Sequence, residues 1–314
     1  MAEAGAFVPV AITSRSGFDE SIHFGAVVCL GPGGDVVYAA GDPTVAVYPR
    51  SANKPMQATA MVRAGLHLAP RLLALVCASH DGTPVHTDAA LQILAGVGLT
   101  DEALANTPDL PLDPACAEQI LRDGGGRRAL WQNCSGKHSG MLATSAIRGW
   151  AVDPSYLRPD HPLQSAITAT IDELAGEPHA HIGVDGCGAP AHAMSLVGLA
   201  RSFRAIATDR GAVYTAMTEH PEMVGGDRRD VTKLMRLVPG LVAKDGAEGV
   251  FAAALPDGRT VALKIADGAS RARPAVMLAG LARLGIDTSA AAPLLVERVL
   301  GHGRPVGDVR ASLP

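Results

Sequence analysis

The chain contains neither a Cys-x-x-Cys pair nor a His-Glu-x-x-His motif, so no zinc site is written in adjacent residues. Its five cysteines, at positions 29, 77, 116, 134 and 187, are odd in number and widely spaced. That pattern argues against a disulfide framework and for buried or reactive thiols. Nowhere do about 18 apolar residues run uninterrupted, which excludes a membrane-spanning helix. The opening Met1-Ala2-Glu3-Ala4-Gly5 lacks the basic-then-apolar pattern of a secretory signal, so the expected compartment is the cytoplasm. Basic blocks are missing too. The formal net charge is −4, and the pairs Arg127-Arg128 and Arg228-Arg229 read as solvated faces, so no nucleic-acid partner is expected.

What remains is a chain of 314 residues, 47% hydrophobic and only 18% charged, a balance that favours a packed globule over disorder. The length suits either one large domain or two closely joined ones, and with no obvious break between two the expectation is a single domain over 1–314 with a helix-rich region around 85–240. Apolar runs at Phe7 to Ile12, Phe24 to Leu30 and Val36 to Ala39 predict strands, the last two separated by the turn-rich Gly31-Pro32-Gly33-Gly34-Asp35. From Ser51 the spacing becomes helical, with Met56, Ala60 and Ala64 four apart and a segment running on toward Ala69-Pro70. Leu72 to Cys77 reads as a short buried strand that delivers Ser79 and His80 to its exit. Leu163, Ile167, Ile171 and Leu174 follow a helical period behind Pro162, which suits a first helical position. Phe251 to Leu255 and Thr260 to Ala266 flank Pro256-Asp257-Gly258-Arg259 and predict a hairpin carrying Lys264. Helices are expected again over 273–284 and 291–300. Strands at both ends around a helical middle predict an α/β or α+β fold, in which an antiparallel-rich sheet collects distant segments.

Several segments concentrate reactive side chains. Ser51-Ala52-Asn53-Lys54 sets a hydroxyl and an amine three residues apart, neighbours on a helix surface. A lysine there accepts the serine proton only if it stays neutral, which at pH 7 takes a downward pKa shift of roughly 3 units, about 4 kcal/mol. The bland alternative is Ser51 as a helix cap with Lys54 in water. Ser79-His80-Asp81-Gly82 is either a second polar cluster or a cap and turn. Lys264, within Val261-Ala262-Leu263-Lys264-Ile265, is a second base if it points inward and a solvated cation if it points outward. Asn133-Cys134-Ser135-Gly136-Lys137-His138 reads as a loop feeding a helix at Gly140-Met141-Leu142, whose N–H groups would suit a carboxylate or a developing oxyanion. Asp185-Gly186-Cys187-Gly188-Ala189-Pro190 superficially matches a dinucleotide fingerprint. Pro190 and the missing βαβ context count against that, and Asp185 suits gripping an α-amino group or orienting a lysine. Two distant cysteines with a nitrogen ligand are chemically reasonable for Zn²⁺, provided a lysine ligand is deprotonated.

Taken in order along the chain, these segments resemble a known family, the cysteine- and lysine-containing L-asparaginases of the rhizobial inducible type. The resemblance covers Arg15-Ser16-Gly17, Glu20-Ser21-x-His23-x-Gly25, Gly41-Asp42-Pro43, Arg50-Ser51-x-x-Lys54-Pro55-x-Gln57-Ala58 and Ala78-Ser79-His80. It continues through Asn133 to His138, His161-Pro162-Leu163-Gln164, Asp185-Gly186-Cys187-Gly188, His220-Pro221 and Lys264-x-x-Asp267-Gly268. It implies a fold like the serine β-lactamases and glutaminases, a homodimer, and hydrolysis of L-asparagine to L-aspartate and ammonia. By the same resemblance Ser51 is the nucleophile and Lys54 its base, while Ser79 and Lys264 form a second serine-lysine pair. The resemblance also implies that Cys134, Lys137 and Cys187 can hold a zinc ion beside the substrate, as a tuning ion that is not required for the hydrolysis itself. His138 and Asp185 neighbour them, and Arg50, His138 and Asp185 are the candidate substrate-binding residues. Glutaminase activity stays open, because one methylene of selectivity is worth about 1 to 3 kcal/mol and is not legible in sequence. A β-lactamase of the best-known class needs Ser-Asp-Asn and Lys-Thr-Gly, where this chain offers Ser79-His80-Asp81 and Lys264-Ile265-Ala266. An idle amino-acid sensor has no use for two activated hydroxyls.

Overall fold

The centre of the fold is a long strand whose two halves differ in environment. In the computed structural model, which describes residues 4–314, β1 (Val8–Arg15) and β2 (Phe18–Leu30) form a hairpin. Met1-Ala2-Glu3, used above against a secretory signal, lie outside the described residues. The first half of β2 faces water with Phe18, Ile22 and Phe24, whereas Ala26 to Leu30 are inaccessible, so the strand runs from an open ribbon into the core. β3 (Val36–Ala40) returns on β2, and β4 (Ala46–Val47) leads toward the first helix. Later strands are β5 (His181–Val184), β6 (Pro190–Ser195), β7 (Val242–Asp245), β8 (Val250–Ala254), β9 (Thr260–Ile265), β10 (Arg298–Gly301) and β11 (Arg304–Ala311). The large sheet has the order β10-β11-β1-β2-β9-β8-β7, and a small one the order β4-β6-β5, with antiparallel pairing throughout.

The helices are α1 (Lys54–Arg63), α2 (Pro70–Val76), α3 (Pro84–Ala95), α4 (Pro114–Arg122), α5 (Ser135–Arg148) and α6 (Pro162–Ala175). They continue with α7 (Leu196–Asp209), α8 (Ala212–Glu219), α9 (Pro221–Val224), α10 (Asp230–Leu237), α11 (Arg273–Arg283) and α12 (Ala292–Leu295). The predicted mixed architecture, an antiparallel sheet flanked by helices with a helical middle, is present. α7 and α11 pack on the sheet. α7 presents Leu199, Phe203 and Ile206 at helical spacing, and burying Phe203 completely is worth about 1.5 to 3 kcal/mol. α6 starts as its Pro162 predicts, with the His161 ring accepting from the Leu163 N–H at 3.2 Å.

Three expectations change. Leu72 to Cys77 is not a strand: Pro70–Val76 is α2, buried from Leu72 to Val76. A short all-apolar run carries no periodicity, so a fully buried helix and a strand look alike in sequence. The first helix ends at Arg63, with Ala64-Gly65 after it, well short of Pro70. The stretch 291–300 is helical only over Ala292–Leu295, and Arg298–Gly301 becomes an edge strand paired with β11.

Candidate active site

Arg50 introduces the site with a left-handed backbone, φ 53°, costly for a non-glycine residue and typical of a functional turn. The short 3-10 turn Arg50–Asn53 that follows carries Ser51 and runs into α1, whose first turn tolerates Pro55 because that N–H has no helical partner. Lys54 is buried. Its Nζ donates to the Ala78 carbonyl at 2.5 Å and to Ser79 Oγ at 3.1 Å. The amine that the spacing set beside Ser51 thus spends its hydrogen bonds on the other serine. Ser79 arrives from the end of α2, with its N–H on Val224 O at 3.0 Å, while the His80 N–H bonds Asn133 O at 3.1 Å.

Lys264 does not make the expected pair with Ser79. It sits in β9 opposite Ala26 and Val250, half-buried, and donates to the carbonyls of Glu248 at 2.5 Å and Ile265 at 2.7 Å. The second buried amine near Lys54 is Lys244 in β7, fully inaccessible. Gly246 explains how β7 reaches the site: a Cβ there would lie 2.3 Å from Pro49 O and 3.3 Å from Ala52 N, so the end of the strand abuts the turn that carries Ser51. Lys244 Nζ donates to Asp245 O at 2.8 Å and to Asp245 Oδ1 at 2.5 Å. Burial, helped by the charges of Lys54 and Arg229, pulls its pKa down to about 8 against the opposing pull of Asp245. Burial alone would raise the Asp245 carboxyl, but Lys244, Arg229 and Arg273 hold it well below the usual carboxylate range. Arg229 is therefore not the solvated cation expected from its pair with Arg228: its Nη2 lies 2.7 Å from Asp245 Oδ2, and only Arg228 is exposed.

Lys244 and Asp245 were not singled out by sequence reasoning, yet for Lys244 a signal existed. The chain has five lysines against 22 arginines, and three of the five, Lys54, Lys137 and Lys244, are almost completely buried. Tyr156 also escaped notice; its hydroxyl is 2.8 Å from His138 Nδ1.

The thiol cluster lies at the start of α5, which begins at Ser135 and so takes in residues expected to form a loop. Gly136 and Gly140 account for this. A Cβ at Gly136 would lie 2.5 Å from the Leu75 carbonyl oxygen and one at Gly140 2.7 Å from Val76 Cγ1, so two glycines four apart let α5 press against α2. Its first turn is consequently buried. His80 Nδ1 accepts from the Gly82 N–H at 3.1 Å, which leaves Nε2 to donate to Ser135 Oγ at 2.9 Å. Lys137 Nζ is 3.1 Å from Cys187 Sγ, and Cys134 Sγ is 3.1 Å from Asn133 Oδ1. Contact with Cys187, then burial, pushes the Cys134 thiol up, whereas Cys134 and the neighbouring Lys137 hold Cys187 down as a thiolate. Burial would lower Lys137, but the two sulfurs keep it protonated. Burial and Lys137 lower His138 to about 4, so its ring is neutral near pH 7, and its buried Nε2 has no partner.

These groups bear on the zinc reading. Among the described residues no three His, Cys, Asp or Glu side chains are placed to hold a metal. Two sulfurs and an amine in contact, with an orphaned imidazole nitrogen beside them, do form a soft donor set that fits Zn²⁺ once Lys137 gives up its proton. At the rim, Arg50 Nε and Nη2 each lie 2.8 Å from Asp185 Oδ1, so two of the three predicted substrate-binding residues meet each other.

Serines and buried lysines at the meeting point of a helix turn and a strand end are the equipment of an acyl-transfer enzyme. The family model for L-asparaginase II matches residues 11–311. The chain belongs to the L-asparaginase II family. As a member it is an L-asparaginase-type hydrolase of a small amide. A search among curated protein sequences finds no match. Similar solved structures include Mglu in its glutamate form, 17% identical over 92% of this chain and 70% of that one, TM-score 0.46. A β-lactamase from Mycobacterium bovis is 15% identical over 83% of this chain and 94% of its own, TM-score 0.41. A Bacillus glutaminase is 12% identical over 78% of this chain and 84% of its own, TM-score 0.29.

Proposed function

We propose that this L-asparaginase II family member hydrolyses the side-chain amide of L-asparagine to L-aspartate and ammonia through an acyl-enzyme on Ser51. The observation that carries the reading is Lys54: buried, three residues from Ser51, and 3.1 Å from the hydroxyl of Ser79. Ser51 Oγ attacks the amide carbon while its proton passes to the Lys54 amine. The C–N bond then breaks and the proton leaves on ammonia. Water cleaves the aspartyl ester, giving one proton to the amine pair and returning one to Ser51. Ser79 relays protons along the hydrogen bond it shares with Lys54, and Lys244 replaces Lys264 as the second base, because it is buried on the strand whose end abuts the Ser51 turn while Lys264 is held by the Glu248 and Ile265 carbonyls.

The substrate's own charges suit the rim. An amino acid places its ammonium against Asp185 and its carboxylate against Arg50, exchanging one ion pair for two, with the neutral His138 beside them. Cys134, Lys137 and Cys187 would hold a zinc ion, which when bound supplies positive charge next to the substrate. A homodimer is supported by the apolar outer face of β2, where Phe18, Ile22 and Phe24 are 75%, 56% and 47% exposed. No described helix is long and apolar enough to cross a membrane, and a site built on a free thiolate suits a reducing compartment such as the cytoplasm. The test is ammonia release from L-asparagine and L-glutamine by wild type and Ser51→Ala, each metal-free and zinc-supplemented. Asparagine turnover that vanishes in Ser51→Ala is expected. Full turnover in that variant overturns the nucleophile, and preference for glutamine overturns the substrate.

A further inference from the structure

The two oxygens of Asp245 are divided between different cations. Oδ1 takes Lys244 at 2.5 Å, while Oδ2 takes Arg229 Nη2 at 2.7 Å and lies 3.8 Å from Arg273 Nη1. Arg229 Nη1 reaches in the other direction, to Asp81 Oδ1 at 3.4 Å. Asp81 is two residues after Ser79, so one guanidinium ties the strand that carries Lys244 to the segment that carries Ser79. Arg273 is committed elsewhere, to Gly246 O at 2.7 Å and Asp230 at 3.4 Å. The proposed reaction uses Lys244 but none of these partners.

We infer that Arg229 is a positioning residue: by holding Asp245 and Asp81 together, it prevents Asp245 from committing its whole charge to Lys244 and keeps the Lys244 amine available as a base. This rests on the role given to Lys244 under the proposed function. The charged and titratable groups that face Lys244 are Asp245 on its own strand, Lys54 from α1, Cys77 after α2 and Arg229 before α10, with Arg273 of α11 reaching it through Asp245. Lys54 and Arg229 oppose its protonation and Asp245 favours it. Without Arg229, one opposing charge disappears and Asp245 is freed to serve the ammonium. Both changes act in the same direction, toward a protonated and idle Lys244.

The chain's five lysines make a direct test practical. Protein carrying ¹³Cε-lysine is titrated by NMR as wild type, Arg229→Gln and Arg229→Lys, with the Lys244 resonance assigned by its loss in Lys244→Met. In Arg229→Gln the Lys244 midpoint should rise by about one pH unit or more. The acidic limb of kcat/KM should rise with it, so that activity falls about tenfold near pH 7 and recovers at high pH. Arg229→Lys keeps a cation in place and should restore most of both. An unmoved midpoint in a folded Arg229→Gln protein overturns the inference, as does a loss of activity equal at every pH. If the midpoint moves but Lys244→Met retains the wild-type pH profile, the electrostatic link stands and Lys244 is not the base, which overturns the role assigned to it and to Arg229 in turnover. Should Arg229→Gln fail to fold, Arg229→Lys carries the test, and a Lys244 midpoint below the wild-type value in that variant overturns the inference.

Discussion

Replacing Asp245 by Asn should cost far more stability than removing the lysine it holds. Asp245 is buried, and its carboxylate faces Lys244 at 2.5 Å, Arg229 at 2.7 Å and Arg273 at 3.8 Å. A neutral amide in its place would leave these cations without their shared counter-charge, and stranding buried charge in this way costs about 3 to 5 kcal/mol. Against a total stability of about 5 to 15 kcal/mol, that is a large share. Lys244→Met is different. It removes an ammonium whose pKa burial has already lowered to about 8, and it leaves Asp245 paired with Arg229, so the expected cost is below about 1 kcal/mol. Urea unfolding at pH 7 measures both variants, with a midpoint drop of about 1 M or more for Asp245→Asn if m is about 3 kcal/mol/M. The pH dependence follows from a depressed carboxyl pKa. The stabilisation is fully present above about pH 4, the unfolded value, and is lost as pH falls through the lower folded value, so wild type and Asp245→Asn should converge only in strong acid. Equal costs for the two variants, or a cost below about 1 kcal/mol for Asp245→Asn, would refute the idea that one carboxylate serves three cations.

Gly140→Ala should lower stability by about 1 to 3 kcal/mol without changing the chemistry of the site directly, since its Cβ would meet Val76 Cγ1 at 2.7 Å. A thermal melt checks it, and an unchanged midpoint would mean that α5 and α2 separate freely. Cys134→Ser should weaken zinc retention in equilibrium dialysis while leaving the Ser51 nucleophile in place, and retention equal to wild type would remove Cys134 from the ligand set.

Much of this protein is written locally. Periodic apolar positions behind Pro162 determine α6, and the turn Pro256-Asp257-Gly258-Arg259 between two apolar runs determines the β8–β9 hairpin, because in each case neighbouring residues alone decide which face is buried. The reactive inventory is local as well: Ser51, Lys54, Ser79, the thiol segment and Asp185 are identifiable from residue type and spacing. Partnership is not. Lys54 turns to Ser79, 25 residues away, and Arg50 meets Asp185 across 135 residues, because those contacts depend on where α2 and the β5–β6 turn come to rest. Lys244 and Lys264 each follow an apolar run in sequence. Only the packing of β7 against the Ser51 turn, through the bare backbone of Gly246, buries one amine at the site, while β9 leaves the other on backbone carbonyls at the edge of solvent. Residue order determines which groups are available. The dielectric and the charges around each group, which decide whether an amine is a base or a cation, exist only once distant segments have excluded water together.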